Sequence, residues 1–174
     1  MSPFPPRPPG QTRLPDGLTI RDFREGDEDG LLAALRDLQA HEGQFHARIR
    51  PAETMGPWYV ERLKREVAEG RGRLMVAEAA AGVVGYAALT FSLADDDKAE
   101  LPYSFAEVGD LAVAADARGH GVGTALLSAC EAEARRRGVD VLRVGVLARN
   151  ASARAFYLRN GLEEVYVTME RPLR

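Results

Sequence analysis

The segment from Leu111 to Leu127 carries the densest set of residues able to do chemistry. Apolar Leu111-Ala112-Val113 reads as the end of a strand, and Ala125-Leu126-Leu127 belongs to a helical run. Between them stand Arg118, Gly119, His120, Gly121, Val122, Gly123 and Thr124. A helix start normally uses Ser, Thr, Asp or Asn to satisfy its first free N–H groups, and neither Gly121 nor Gly123 supplies such a side chain. Three glycines also remove Cβ atoms, so an outside group can come close to the backbone. Free amides and the positive end of a helix make an anion site, with phosphate the common guest. Arg118 adds a charge-assisted donor. The alternative use of the same glycines is a tight strand-to-helix turn with no ligand.

Two phosphate-loop patterns fail. G-x-G-x-x-G would require glycine at Thr124 or Leu126, depending on register. A P-loop requires Gly-Lys-Ser or Gly-Lys-Thr, and the lysines are Lys64 and Lys98. Arg118-x-x-Gly121-x-Gly123 does resemble the pyrophosphate loop of the GNAT superfamily of N-acetyltransferases, Gln/Arg-x-x-Gly-x-Gly/Ala. Leu111-x-Val113 stands five residues before Arg118, Asn150 closes the following strand, and Tyr157 lies in Asn150-x(6)-Tyr157-x(3)-Gly161, all as in that family. Leu162 departs from it, since Phe usually follows that glycine.

The resemblance implies a layout. Backbone groups of Leu111, Ala112 and Val113 would pair with the pantetheine arm of acetyl-CoA. Amides from Arg118 to Thr124, His120 and Val122 included, would hold the pyrophosphate, with Asn150 and Tyr157 completing the cofactor site. The central strand and the strand ending near Leu147 would splay apart, and Gly145 fits beside such an opening, although a bulge explains it equally. The implied fold is α/β: a mixed sheet, largely antiparallel with one parallel splayed strand pair, flanked by helices.

Acetyl transfer to an amine needs a neutral nitrogen. An alkyl ammonium with a pKa near ~10.4 is neutral in only about one part in a few thousand at pH 7, so a base, directly or through water, must take a proton. The departing thiolate needs an acid, and a phenol qualifies. Tyr157 is the candidate acid, with a core tyrosine beside Phe156 as the alternative. Glu107 is the preferred base, since Phe105-Ala106-Glu107-Val108 resembles a segment in which some histone-type members carry a glutamate. Asp110 is second, and water alone is a third option. Strand alternation predicts Glu107, Gly109, Leu111 and Val113 on one face and Val108, Asp110 and Ala112 on the other, so that only one carboxylate faces the substrate.

Other candidates weigh less. His41 and His46 are five apart, a rotation of about 140° on a helix, so they share no face for a zinc site, and no metal is expected. Cys130 falls on a stripe with Leu126, Leu127 and Ala134 and reads as core. Arg135-Arg136-Arg137 precedes Gly138 and suits a helix C-terminus better than nucleic acid. Asp95, Asp96, Asp97 and Glu100 form an acidic loop able to draw in a cationic amine, or a merely solvated one.

These residues need positioning elements. Leu18, Ile20 and Phe23 open a first strand. Leu31, Leu32, Leu35 and Leu38 mark a helix, and Trp58, Leu63 and Val67 a second. Leu74–Ala77 and Val83–Leu89 form a hairpin around Gly82. Phe105–Val113 is a strand, 121–137 contains a helix, Val139–Leu147 is a strand, Ala151–Arg159 a helix, and Leu162–Arg171 a final strand. The order β-α-α-β-β-β-α-β-α-β implies a mixed sheet covered by helices. With 174 residues the chain suits one domain, 17–174, preceded by an arm at 1–16 that holds six of the ten prolines and so makes no backbone ladder. One cysteine excludes an intrachain disulfide. A net charge of −3 argues against a nucleic-acid partner. No stretch reads as a membrane span or signal peptide, so a cytoplasmic location is expected. The acetyl acceptor is expected to be a small-molecule or peptide amine, and a homodimer fits the family. A non-catalytic acyl-CoA-binding or sensing module of the same fold is the rival reading.

Overall fold

A computed structural model describes residues 17–93, 102–171 and 173. The proline-rich arm, 1–16, and the acidic loop with Asp95, Asp96, Asp97 and Glu100 lie outside the described residues. The elements run β1 (Thr19–Asp22), α1 (Glu28–Glu42), α2 (Pro57–Ala68), β2 (Gly72–Ala79), β3 (Gly82–Leu93), β4 (Ser104–Val113), α3 (Val122–Arg137), β5 (Val141–Val144) and α4 (Ala151–Arg159). The strands lie in chain order, antiparallel except for the parallel pair β4–β5. The mixed, mostly antiparallel sheet flanked by helices therefore stands as expected.

Alternation along β2 and β3 builds two cores. Leu74, Val76, Tyr86 and Ala88 face α1 and α2, where Leu31, Leu35, Val60 and Leu63 close over them. Met75, Ala77, Ala87 and Leu89 face α3, whose Val122, Leu126, Leu127 and Cys130 cover them. Cys130 is buried, and that burial pushes its thiol up to about 12, so it behaves as a small apolar residue. Pro57 occupies the first turn of α2, where its missing N–H costs nothing. Gly138 ends α3 at φ +70°, a conformation other residues rarely adopt.

The triple arginine does more than complement the α3 dipole. Arg136 and Arg137, joined by Arg73 of β2, converge on the buried Glu133 at 2.6–2.9 Å. These guanidiniums hold the Glu133 carboxyl down to about 2. A cavity of about 710 Å³ opens beside them, lined also by Asp22, Lys64 and Leu74. It lies at the end of α3 opposite the glycine loop, and its arginines are already engaged with carboxylates.

Two expectations fail. Residues 162–171 form no strand: Val165, Val167 and Met169 are exposed. Their alternation suits a strand, but pairing needs a neighbouring edge, and β5 is only four residues long. Glu164 and Glu170 instead bond Arg154 and Arg48. The strand expected over Val139–Leu147 also shortens, because pairing with β4 stops at Val144.

The second failure concerns the faces of β4. Val108 opposes Leu89 and Asp110 opposes Ala88, so two steps along β4 match one along β3. Gly109 is the extra residue of a β-bulge. Before the bulge, Ala106 and Val108 face α3; after it, Leu111 and Val113 do. Glu107, opposite Thr90, and Asp110, opposite Ala88, consequently share the α1/α2 face. The predicted separation of the two carboxylates is wrong because one inserted residue reverses the alternation.

Candidate active site

At the carboxyl end of β4 the backbone is left open on one flank. β4 pairs with β5 only from Phe105/Val141 to Val108/Val144. From Asp110 to Val113 it keeps its β3 partners, but no described strand lies on its other side. The opening begins at the bulge, where the strand bends. Gly145, just past the last paired residue of β5, has open space around it.

The loop beyond β4 leads directly to the start of α3. Gly119 and Gly121 hold φ of +78° and +82°, which favour glycine over any residue with a side chain. Gly121 caps α3 with no side-chain bond. The first N–H of α3 with a backbone acceptor is that of Ala125, bonded to the Gly121 carbonyl at 3.0 Å. Among the described residues no protein acceptor reaches the amides of Gly121, Val122, Gly123 or Thr124. These are orphan donors at a helix N-terminus, the arrangement that suits a diphosphate. Arg118 is exposed, and its Nε donates to the Val113 carbonyl at 3.0 Å, tying the loop to the end of β4. His120 is exposed. A Cβ on Gly123 would stand 3.4 Å from the Phe156 ring, so this glycine also lets α3 and α4 approach closely.

Asn150 is buried and caps α4: its Oδ1 accepts from the Ala153 amide at 3.1 Å and the Ser152 hydroxyl at 2.9 Å. That cap starts the helix carrying Phe156 and Tyr157, whose rings meet edge-on at 5.0 Å. Tyr157 is half-buried against the α3 core. Burial first, then the nearby Cys130, Glu42 and Asp110, push its phenol well above the ordinary value. It therefore stays protonated, an O–H donor, throughout the physiological range.

The two candidate bases differ sharply. Glu107 is bound to Arg143 of β5 at 2.9 Å. Asp110 accepts from the Tyr59 hydroxyl at 2.8 and 3.0 Å and from the Tyr86 hydroxyl at 3.3 Å. Burial raises the Asp110 carboxyl above the usual range, and the two phenols and Arg62 act against that. Glu42 joins this neighbourhood, raised by burial and by Asp110. Tyr59, Tyr86 and Glu42 were missed in the sequence. Glu42 had a readable signal, since it continues the stripe Leu31-Leu35-Leu38 at helical spacing. Among the described residues no group of three or more His, Cys, Asp or Glu could hold a metal, and no helix is long and apolar enough to cross a membrane.

Residues 32–162 match the model of the acetyltransferase (GNAT) family, and the chain belongs to that family. An uncharacterized N-acetyltransferase of Methanocaldococcus jannaschii is 29% identical over 147 residues, 84% of this chain. The chain spans about three-fifths of that relative, 61% of its length. A mutant form of the BH1408 protein of Bacillus halodurans superposes with a TM-score of 0.80 at 22% identity, covering 90% of this chain and 99% of that one. An aminoglycoside acetyltransferase from an uncultured soil sample, in complex with sisomicin, gives a TM-score of 0.62 at 19% identity, covering 91% and 97%. At such identities the likeness shows the shared fold.

Proposed function

We propose that this chain moves an acetyl group from acetyl-CoA to a primary amine, by direct attack within a ternary complex. The observation that carries the reading is one juxtaposition. The orphan amides at the start of α3 follow directly on the open flank of β4, and Asp110 stands on that flank, its charge reaching the Tyr157 phenol of α4.

In this reading the pyrophosphate takes the amides of Gly121 to Thr124, and Arg118 and His120 border it. The pantetheine arm pairs along Leu111, Ala112 and Val113 as a strand would, filling the flank that β5 leaves open. Asp110 receives a proton from the ammonium form of the acceptor, directly or through water, which frees the nitrogen lone pair. The nitrogen attacks the thioester carbon, an N–C bond forms, and the C–S bond breaks with its electron pair going to sulfur. The Tyr157 O–H gives its proton to that sulfur, so the thiolate leaves as a thiol, and the second proton of the attacking nitrogen passes through water to the phenolate, leaving a neutral amide and a restored Tyr157. Arg143 holds Glu107 away from the same task. The acceptor is a small-molecule or peptide amine, and the aminoglycoside acetyltransferase among the structural relatives supports the amine class.

Calorimetry with acetyl-CoA and thiol release against a panel of amines test the reading. Binding together with thiol release from at least one amine is expected. Binding without release from any amine would favour the non-catalytic acyl-CoA module, and no binding would remove both.

A further inference from the structure

The carboxylates of Asp27, Glu133 and Asp110 are held in two different ways. Asp27 takes the Arg21 guanidinium at 2.6 and 2.9 Å, and Glu133 takes three guanidiniums. A carboxylate so neutralised has little affinity for a proton near neutrality. Asp110, half-buried on the floor of the candidate site, takes neutral donors: the hydroxyls of Tyr59 and Tyr86. Arg62, a cation whose charge reaches Asp110, stands 4.4 Å above the Tyr59 ring, and among the described residues no hydrogen bond joins it to the carboxylate. Neutral donors fix the orientation of the carboxylate without cancelling its charge.

The Tyr59 hydroxyl meets both Asp110 oxygens, so it sets the plane of the carboxyl group. Tyr86 reaches only Oδ2, and more loosely, which leaves a lone pair on Oδ1 for an incoming N–H. Asp110 is also the first residue after the Gly109 bulge, at the upper end of the flank that β5 abandons. Tyr59 belongs to the first turn of α2, just after the irregular segment between the two helices. One hydroxyl thereby links α2 to the strand along which the thioester would lie.

Resting on the acetyl-transfer reading above, we propose that Tyr59 is a positioning residue: its hydroxyl, seconded by that of Tyr86, holds the Asp110 carboxylate in place as the proton acceptor of the site. Every titratable or charged group near Asp110 bears on its behaviour. These are Tyr59, Arg62 and Glu66 on α2, Tyr86 on β3, Glu42 on α1 and Tyr157 on α4. Tyr59 itself is raised by burial and by Asp110, so it remains a donor wherever the carboxylate titrates.

The test is Tyr59→Phe, which keeps the ring beneath Arg62 and deletes the hydroxyl. The Asp110 carboxyl is followed by carbon-13 resonance, assigned by its loss in Asp110→Asn. Losing a donor to the anion raises its pKa, so the midpoint is expected to move up by about one pH unit. Spermidine serves as the amine probe in a thiol-release assay. The acid limb of kcat/KM is expected to rise with the midpoint, and kcat to fall about tenfold with KM for acetyl-CoA unchanged. A midpoint that stays put in a folded variant overturns the proposal, as does an acid limb that ignores a moved midpoint. If the unmutated chain releases no thiol from spermidine or from any amine of the panel, the acetyl-transfer reading loses its support while the Asp110 titration alone decides whether Tyr59 holds the carboxylate.

Discussion

Arg143 of β5 reaches across to Glu107 of β4 at 2.9 Å, and its guanidinium carbon sits 3.4 Å from the centre of the Phe105 ring. The arginine therefore clamps the short stretch over which these two strands pair, just before they part. A carboxylate held in this way already has a partner and is turned from an incoming amine. Glu107→Gln is expected to change kcat less than about threefold, whereas Asp110→Asn lowers it by on the order of a hundredfold, within the range for a lost general base. Steady-state rates of the two variants with one amine decide it; a larger loss in Glu107→Gln would return the base role to Glu107.

Tyr157 offers a separate handle. Its phenol stays protonated, so removing the hydroxyl deletes the proposed donor to sulfur without changing any charge. Tyr157→Phe is expected to lower kcat by about tenfold or more and to leave the Kd for acetyl-CoA unaltered. Rates and calorimetry on the same preparation separate the two effects, and an unchanged kcat would take Tyr157 out of the acid role.

Gly121 stands at φ +82° with no side chain over the amides of α3. Gly121→Val places a β-branched residue in a conformation that costs about 1–2 kcal/mol. It also sets two methyl groups beside the donors. Acetyl-CoA binding is expected to vanish while circular dichroism stays that of the folded chain. Normal affinity in the calorimeter would contradict the phosphate assignment.

Glu133 governs acid stability. Its carboxyl is held at about 2, against an ordinary 4.5, by Arg136, Arg137 and Arg73. Because the folded value is the lower one, its stabilisation is fully present above about pH 4.5. It is lost as the pH falls through about 2, below which both states are protonated. Glu133→Gln is expected to lower stability at pH 7 by about 2–3 kcal/mol, the size seen for one carboxylate so displaced. It should also flatten the fall of stability between those two pH values. Urea unfolding across that range measures both.

Much of this was legible in the chain. Leu31-Leu35-Leu38 and Leu63-Val67 show helical spacing, Gly82 marks the hairpin, and Arg118-x-x-Gly121-x-Gly123 marks the bare helix start. These signals are local, set by residues within a few positions of one another. What was hidden depends on pairing at a distance. Nothing in Val108-Gly109-Asp110 says that β3 will advance one residue while β4 advances two, and that mismatch decides which way Glu107 and Asp110 look. Tyr59 and Asp110 are 51 residues apart and meet only once α2 has folded onto the sheet. The apolar alternation of 162–171 misled for the converse reason: a strand needs an edge as well as a pattern.

The Gly109 bulge also has a meaning for any attempt to reshape this protein. Excising that one glycine would put β4 back in step with β3 and turn either Glu107 or Asp110 toward the hydrocarbon beneath α3. No point substitution reproduces such an inversion, so the length of this strand is as much a part of its chemistry as the letters it spells.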